Sequence, residues 1–478
     1  ATRRRPNLFD GTAGIAAENL AAGLWGAITS SASSWFALRH VEDALNEDAE
    51  AKAWLEAATR VLRDAFAASG MRFYARAVDL YADLVSFGTG VFYVDDADAD
   101  GRLFFTCRHL AECFIAEDER ERIDTVHRRF EWTARQAARR WGRALPQRLR
   151  TAAEKEPDRR FPFIHAVMPR EDYDPRRRDR SGMAFASVYV DIESATVLSD
   201  GGYAEFPYQV PRWSTRSRRV YGDSPAMLAL ADAKMLNAMA KTTIVAAQKA
   251  ADPPLLAPDE AALRGVRVAP GGIIYGGVSA DGRPLYQPLA SGAAINLGIE
   301  LEERRRQAIR DAFYASLLLM VPQSGRTATE VLARQEEKLT LLAPHLGRIQ
   351  SEFLDPLIDR CFRALARAGR FPPLPRVLAR MPMLKVEYVS PLVRAQRASE
   401  GAAVTRTLEA IAPLAATDQS VLDNFDADQL ARALAEAFGL PSRALRPARE
   451  VASLREERAA AAMTDLAATE AAAPTGSF

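Results

Sequence analysis

The chain has 478 residues, enough for two to four domains at about 100–200 residues each. Hydrophobic residues make up 48% and charged residues 26%, ordinary values for folded protein that exclude wholesale disorder. Lys+Arg 63 against Asp+Glu 62 leaves a net charge of +1, which excludes a protein that clamps nucleic acid by bulk charge. Only seven of the basic residues are lysine, so the abundance of arginine reflects a composition bias and carries little by itself. Cys107, Cys113 and Cys361 form neither a disulfide framework nor a metal knuckle and read as reduced thiols.

Arg3, Arg4 and Arg5 precede an apolar-leaning stretch, but Asp10 and Glu18 interrupt any signal-peptide core. Residues 19–38 carry no charge, yet Asn19, Thr29 and a run of serines break them, and they read as a buried helix followed by a serine-rich turn ending at Trp35-Phe36. No membrane span is expected. Apolar spacing of three and four predicts helices over 11–29, 41–68 and 71–87. Phe87-Gly88-Thr89-Gly90 ends that pattern. Strands are expected at Val91 to Val94, Leu103 to Cys107, Cys113 to Ala116, Ile123 to Trp132 and Ala184 to Val190, with a short helix at Thr133 to Gly142. Residues 143–182 read as polar and charged, and Ser199 to Pro207, with Gly201-Gly202, as a turn.

Ser224-Pro225 predicts a helix start, a hydroxyl cap before a first-turn proline. No Gly or Pro follows until Asp252-Pro253-Pro254 stops the helix. Its length is roughly 40 Å at 1.5 Å per residue, and its faces are rich in Ala and Met. Residues 253–295 turn to glycines, prolines and short β-like runs at Gly265 to Val268, Ile273 to Tyr275 and Leu285 to Gln287. A second long helix begins near Leu297 with Glu300, Glu302 and Glu303 early, where the helix dipole favours acids. Glu300–Arg304 and Glu302–Arg306 are i,i+4 pairs, so Arg304-Arg305-Arg306 reads as a solvated face. After Pro322-Gln323-Ser324-Gly325-Arg326, Thr327 and Glu330 form a capping-box pattern. The helix behind them runs to about Ala368, with kinks expected at Pro344 and Pro356. One strand, Leu384 to Val389, and a helical region at 399–460 follow, and the Ala/Thr-rich tail reads as disordered. The expectation is an α+β chain, mainly helical.

The residues carry no visible active site. Gly88-x-Gly90 lacks the third glycine of a dinucleotide loop, no glycine precedes a lysine, and no HExxH occurs. Ser279 lacks the closing glycine of a nucleophile elbow, since Asp281 stands there. Asp96-x-Asp98-x-Asp100-Gly101 copies half a calcium loop, but Cys107 stands where its bidentate acid belongs; a solvated turn is expected. His40, His109, His127, His165 and His345 have no ligand spacing. No cofactor, metal or catalytic residue is expected. Two long Ala-rich helices bracketing a Gly/Pro-rich module point to packing against copies of the same chain.

Several segments, in order, resemble portal proteins, the head-to-tail connectors of tailed bacteriophages, and most of all their short-tailed branch. They are Phe9-Asp10-Gly11-Thr12-Ala13 with Glu18 to Leu24, Phe87-Gly88-Thr89-Gly90, and Tyr221-Gly222-Asp223-Ser224-Pro225. Further on come Gln248-Lys249-Ala250 with Asp252 to Leu256, Thr327 to Val331 with Glu336-Glu337-Lys338, and Leu354-Asp355-Pro356-Leu357-Ile358. The resemblance implies a wing at 1–220 and 327–398, stem helices within 221–251 and 296–320, a clip at 252–295, a tunnel loop at 321–326, a crown at 399–460 and a tail at 461–478. It implies a homo-oligomeric ring, usually of twelve subunits, at one capsid vertex of a virion assembled in the host cytoplasm. Double-stranded DNA would be packaged through it by a terminase large subunit, with capsid protein and a tail adaptor as further partners. It implies Pro322, Gln323, Ser324, Gly325 and Arg326 at the channel, Glu300, Glu303, Arg304 and Gln307 facing it along the stem, and Leu255, Leu256, Ile273, Ile274 and Tyr275 in clip assembly and docking. Another ring-forming virion adaptor, or a nucleic-acid-processing enzyme with a dispersed site, are the alternatives.

Overall fold

The computed structural model describes residues 7–32, 34–68, 70, 72–98, 100–256, 273, 275, 277–289, 295–315, 342–379, 384–388, 391–437, 445–446, 450–458 and 460–461. The chain forms two compact units, Ala1–Leu20 with Ser224–Met320, and Ala21–Asp223 with Val321–Phe478. Helix α1 (Thr12–Ile28) contributes residues to both.

The second unit holds α2 (Asp43–Glu47), α3 (Ala49–Ala67) and α4 (Phe73–Phe87). The single helix expected over 41–68 is broken at Asp48, whose extended backbone lets its carboxylate accept from the Glu50 and Ala51 amides and so cap α3. The serine-rich turn does not end the local structure at Phe36. The chain enters strand β1 (Phe36–His40), antiparallel to β12 (Leu384–Tyr388). Trp35, Phe36, Phe66, Phe73 and Phe105 pack as one aromatic core, with ring centroids 4.6 Å apart for Phe66–Phe73 and 5.2 Å for Phe73–Phe105.

A three-stranded sheet runs β3 (Phe105–Arg108), β2 (Val91–Val94), β9 (Tyr208–Gln209). A five-stranded antiparallel sheet follows chain order: β4 (Cys113–Glu117), β5 (Ile123–Thr133), β6 (Arg160–Pro169), β7 (Phe185–Asp191), β8 (Thr196–Tyr203). Strand β6 lies inside the segment read as merely polar. Its Phe161, Phe163, His165 and Val167 alternate inward, a period of two hidden by the charges on either side. The same segment also holds helix α6 (Gln147–Lys155), packed behind α5 (Ala134–Trp141). Gly201-Gly202 is not a turn but part of β8. A Cβ on Gly202 would press within 2.8 Å of Phe185 O and Met183 Cβ, so the glycine marks a close backbone approach.

His165 is a buried histidine with both ring nitrogens satisfied. Its ring nitrogens lie 3.1 Å from the Tyr208 hydroxyl and 3.0 Å from Ser187 Oγ. Burial, then the nearby Arg108 and Arg128, push its pKa down to about 3. Cys107, Cys113 and Cys361 are free; burial pushes the Cys113 thiol up to about 12, so it stays protonated and inert.

Residues 342–349 are helical and contain Pro344. The discontinuity expected at Pro356 is a π turn, Gln350–Leu354, with Asp355 N bonded to Gln350 O, followed by α9 (Asp355–Arg367). A proline at the first positions of the new helix needs no hydrogen-bonded amide. Helices α10 (Arg376–Ala379), α11 (Pro391–Thr417) and α12 (Ala427–Ala437) complete the named helices, so the C-terminal helical region begins eight positions before 399. The capping box at Thr327 and Glu330 and the tail beyond 461 lie outside the described residues. Among the described residues no helix is long and apolar enough to cross a membrane.

Candidate functional site

The first unit is built on α7 (Pro225–Ala251) and α8 (Ile295–Ala312), which pack on each other. Helix α7 starts as expected. Ser224 Oγ accepts from Met227 N at 2.9 Å and Pro225 sits in the first turn. Its buried residues, Ala229, Leu236 and Ala240, fall on one stripe, and the small side chains let a partner helix approach closely. Glu302 (4% exposed) and Ile309 of α8, and Phe313 just beyond its end, are buried.

A buried carboxylate needs partners, and Glu302 has two. Thr243 Oγ1 donates to it at 2.6 Å and Arg306 at 2.9 Å. Arg306 also reaches Asp10 at 3.1 Å and Glu303 at 3.4 Å. Asp10 in turn accepts from Thr12 N at 2.8 Å, which caps α1. Asn237, midway along α7, accepts from Phe9 N at 2.7 Å and Asp10 N at 3.3 Å, and donates to Asn7 O at 2.9 Å. Residues 7–10 thus lie as a strap across both long helices. Burial pushes the Asp10 carboxyl up, but hydrogen bonds from Thr12 and the Arg306 guanidinium outweigh it and hold the pKa below the usual carboxylate value. Sequence reasoning missed this network. Its signal was an asparagine and a threonine, Asn237 and Thr243, within an Ala- and Met-rich helix.

Glu300, Glu303, Arg304 and Gln307 are all exposed, and their spacing puts them on one face of α8. Their charges are already matched: Arg304–Glu300 at 2.7 Å, Arg310–Glu303 at 2.8 Å, and Gln307 donating to Asp311 at 2.8 Å. Arg305 reaches across to Asp232 of α7 at 2.9 Å. The solvated-face reading of Arg304-Arg305-Arg306 therefore needs correction at its last member, which turns inward because Glu302 and Asp10 are there. Helix α8 carries four acids and four arginines, and each of those arginines has a carboxylate partner.

Beyond α7, β10 (Leu255–Leu256) pairs antiparallel with β11 (Gln287–Pro288). Leu255 and Leu256 are exposed, and Ile273 (80%) and Tyr275 (89%) are nearly bare. Ile274, and all of Pro322, Gln323, Ser324, Gly325 and Arg326, lie outside the described residues.

In the second unit, two glycine motifs far apart in sequence meet. Gly88 has φ +76°, and a Cβ there would collide with the backbone of Gly222 and Asp223. Gly222 N donates to Thr89 Oγ1 at 2.8 Å. Beside this junction Arg212, 5% exposed, grips the π turn. It donates to Glu352 at 2.8 Å from its amide and 2.9 Å from Nη2, and also pairs with Glu117. Arg360, 1% exposed, binds Val94 O at 3.0 Å, Asp96 at 3.1 Å and Glu205 at 3.2 Å. Its position on the buried stripe of Leu357, Cys361 and Ala364 was the readable signal. In the acidic segment, Gly101 N donates to Asp98 O at 2.8 Å, and Asp96 is committed to Arg360 and Arg367. Among the described residues no group of His, Cys, Asp or Glu could hold a metal ion.

A sequence profile described as "Bacteriophage head to tail connecting protein" matches residues 1–445. The "Probable portal protein" of Bordetella phage BPP-1 is 33% identical over 473 residues, covering 96% of this chain and 83% of that protein. The "Portal protein" of Salmonella phage epsilon15 is 31% identical over 470 residues, with the same coverage. A solved structure of the neck of an empty gene transfer agent particle overlaps with a TM-score of 0.38 at 12% identity, covering 82% of this chain and 84% of its own, too loosely to define the fold. With 445 of its residues spanned by one family profile, the chain belongs to the bacteriophage head-to-tail connecting protein family.

Proposed function

We propose that this chain is the portal of a tailed phage or phage-like particle. It assembles as a ring, of about twelve copies by the family resemblance, at one vertex of the capsid. Double-stranded DNA is packaged through the ring by a separate terminase and later leaves through it, and a tail adaptor docks on it.

The observation that carries the reading is the α7–α8 pair. Leu228 (73% exposed), Met235, Ile244 and Val245 of α7, with Ile299 and Leu301 of α8, are exposed apolar residues on two long helices. A monomer does not keep such surface without a use for it; neighbouring copies would cover it. The other exposed face, with Glu300, Glu303, Arg304 and Gln307, is charged yet internally neutralised. Fixed unpaired cations on a channel wall would each add salt-dependent affinity for phosphate, and a dozen copies of such a patch would hold DNA rather than pass it. We therefore assign α7 and α8 to the stem, the connecting segment with Leu255, Leu256, Ile273, Ile274 and Tyr275 to the clip, and Pro322 to Arg326 to the tunnel loop. On this reading the portal acts as a structural channel in the virion and leaves ATP hydrolysis to the terminase.

Electron microscopy of the purified protein tests the proposal. Rings with a central hole are expected; a stable monodisperse monomer at micromolar concentration under every salt condition contradicts it. The loop assignment is tested separately by Arg326→Ala and by deletion of 323–325. Normal assembly with altered DNA retention supports it, and wild-type packaging in both variants removes the loop from the mechanism.

A further inference from the structure

The α5–α6 hairpin has a different charge pattern from the stem. Residues 134–155 contain seven basic side chains and one acid, in a chain whose net charge is +1. Arg135 pairs with Asp158 at 2.8 Å, and Arg148 with Asp191 at 2.6 Å. Arg139, Arg140, Arg143, Arg150 and Lys155 are exposed and have no carboxylate within ion-pair distance among the described residues. Arg135 and Arg139 are like charges at i,i+4, an arrangement that destabilises a helix. The dipoles of α5 and α6 offset part of that repulsion at Arg139, Arg140 and Lys155, and Arg150 has Glu154 one turn on, outside ion-pair distance, but Arg143 has neither.

The inner face of the hairpin is fully used. Ala134, Ala137, Trp141, Leu145, Leu149 and Ala152 pack with Phe130, Phe161 and Phe163 in one core. The outer face shows no exposed large hydrophobic residue between Phe114 and Met168. A protein partner would find no apolar or aromatic anchor there, which is where most binding energy between proteins resides. A phosphate backbone needs none. Guanidinium forks bind phosphates without reading bases.

We propose that the outer face of the α5–α6 hairpin is a sequence-independent binding surface for the phosphate backbone of double-stranded DNA, separate from the stem face. The choice of DNA among polyanions rests on the portal reading; the existence of the cationic surface does not.

The test uses the full chain in its assembled form and a fluorescein-labelled duplex of about 30 base pairs, followed by anisotropy from 50 to 200 mM NaCl. The triple variant Arg139→Ala, Arg140→Ala, Arg143→Ala is expected to bind at least tenfold more weakly at the lowest salt. Its log–log salt slope should be shallower by about 3, near 0.9 per phosphate lost. Affinity and slope equal to wild type would overturn the proposal. Competition by poly-glutamate as effective as by unlabelled duplex would also overturn it, because the surface would then take an acidic protein segment. Should the triple variant lose thermal stability, Arg150→Ala with Lys155→Ala is read instead, with the same expected direction and a slope change of about 2. Ring formation is scored on the same samples by electron microscopy. Intact rings with unchanged DNA binding defeat this proposal alone, and absence of rings in the wild type defeats the portal reading.

Discussion

The two helical hairpins of this chain use arginine in opposite ways. On α8 four arginines face four acids, and Arg306 is drawn inward by Glu302 and Asp10. On α5–α6 five exposed cations have no carboxylate within ion-pair distance among the described residues. Composition cannot distinguish the two, since both are arginine-rich helices on one side of an apolar contact. The difference lies in where the acids fall: for α8 mostly along the same helix, with Asp232 of α7 and Asp10 completing the set, and around α5–α6 mostly elsewhere. A charge that is matched within its own element supports the fold and leaves a surface electrically quiet. A charge that is unmatched is available to a partner.

That contrast predicts a ranking of effects. Arg306→Ala should be the most disruptive, because it strands Glu302 and Asp10. Breaking a fully buried pair costs about 3–5 kcal/mol; with Arg306 partly exposed, about 2 kcal/mol is expected by urea unfolding, and a loss below about 0.5 kcal/mol would show the hub to be ornamental. Asn237→Ala removes three hydrogen bonds to the strap and should cost about 1–2 kcal/mol, with faster hydrogen exchange at the Phe9 and Asp10 amides; unchanged exchange there would mean that the strap holds without it.

Asp10 adds a pH dependence. Its folded pKa is depressed, so its contribution is fully present above the unfolded value of about 3.9 and is lost as pH falls through the lower folded one. The stability gap between wild type and Asp10→Asn should therefore persist at pH 7 and close below about pH 4. A gap that stays constant down to pH 3 would argue against the ion pair.

The smallest effects belong to the exposed pairs. A double-mutant cycle on Glu300 and Arg304 should return about 0.3–0.5 kcal/mol. Replacing Arg139, Arg140 and Arg143 by alanine should change stability by no more than about 0.5 kcal/mol, and toward greater stability where like charges are relieved. A substantial destabilisation would place those arginines in the fold rather than at its surface.

The same distinction explains what could be read from the residues alone. Punctuation was legible. Ser224-Pro225 and Asp252-Pro253-Pro254 bound α7, and Gly88 and Gly222 prove to be places where two backbones touch. Long-range pairing was not. Strand β1 finds its partner only at Leu384–Tyr388, and β6 is recognised by its phenylalanines once β5 and β7 flank it. Arg212 looks like a surface residue until Glu352 arrives from a distant segment, and Arg360, whose place on a buried stripe was legible, meets Glu205 only in the fold. The stem candidates came from the family resemblance; the Glu300–Arg304 pair was legible from its i,i+4 spacing, but the matching of Arg305 by Asp232 and of Arg306 by Asp10 required the coordinates.

The most direct test of this account is a cryo-electron microscopy reconstruction of the assembled protein. It should show a ring in which the face bearing Glu300, Glu303, Arg304 and Gln307 lines a central channel, while Leu228, Met235 and Val245 are covered by neighbouring subunits. A reconstruction that buries the charged face between subunits and leaves those apolar residues facing the channel, or that contains no closed ring, would contradict it.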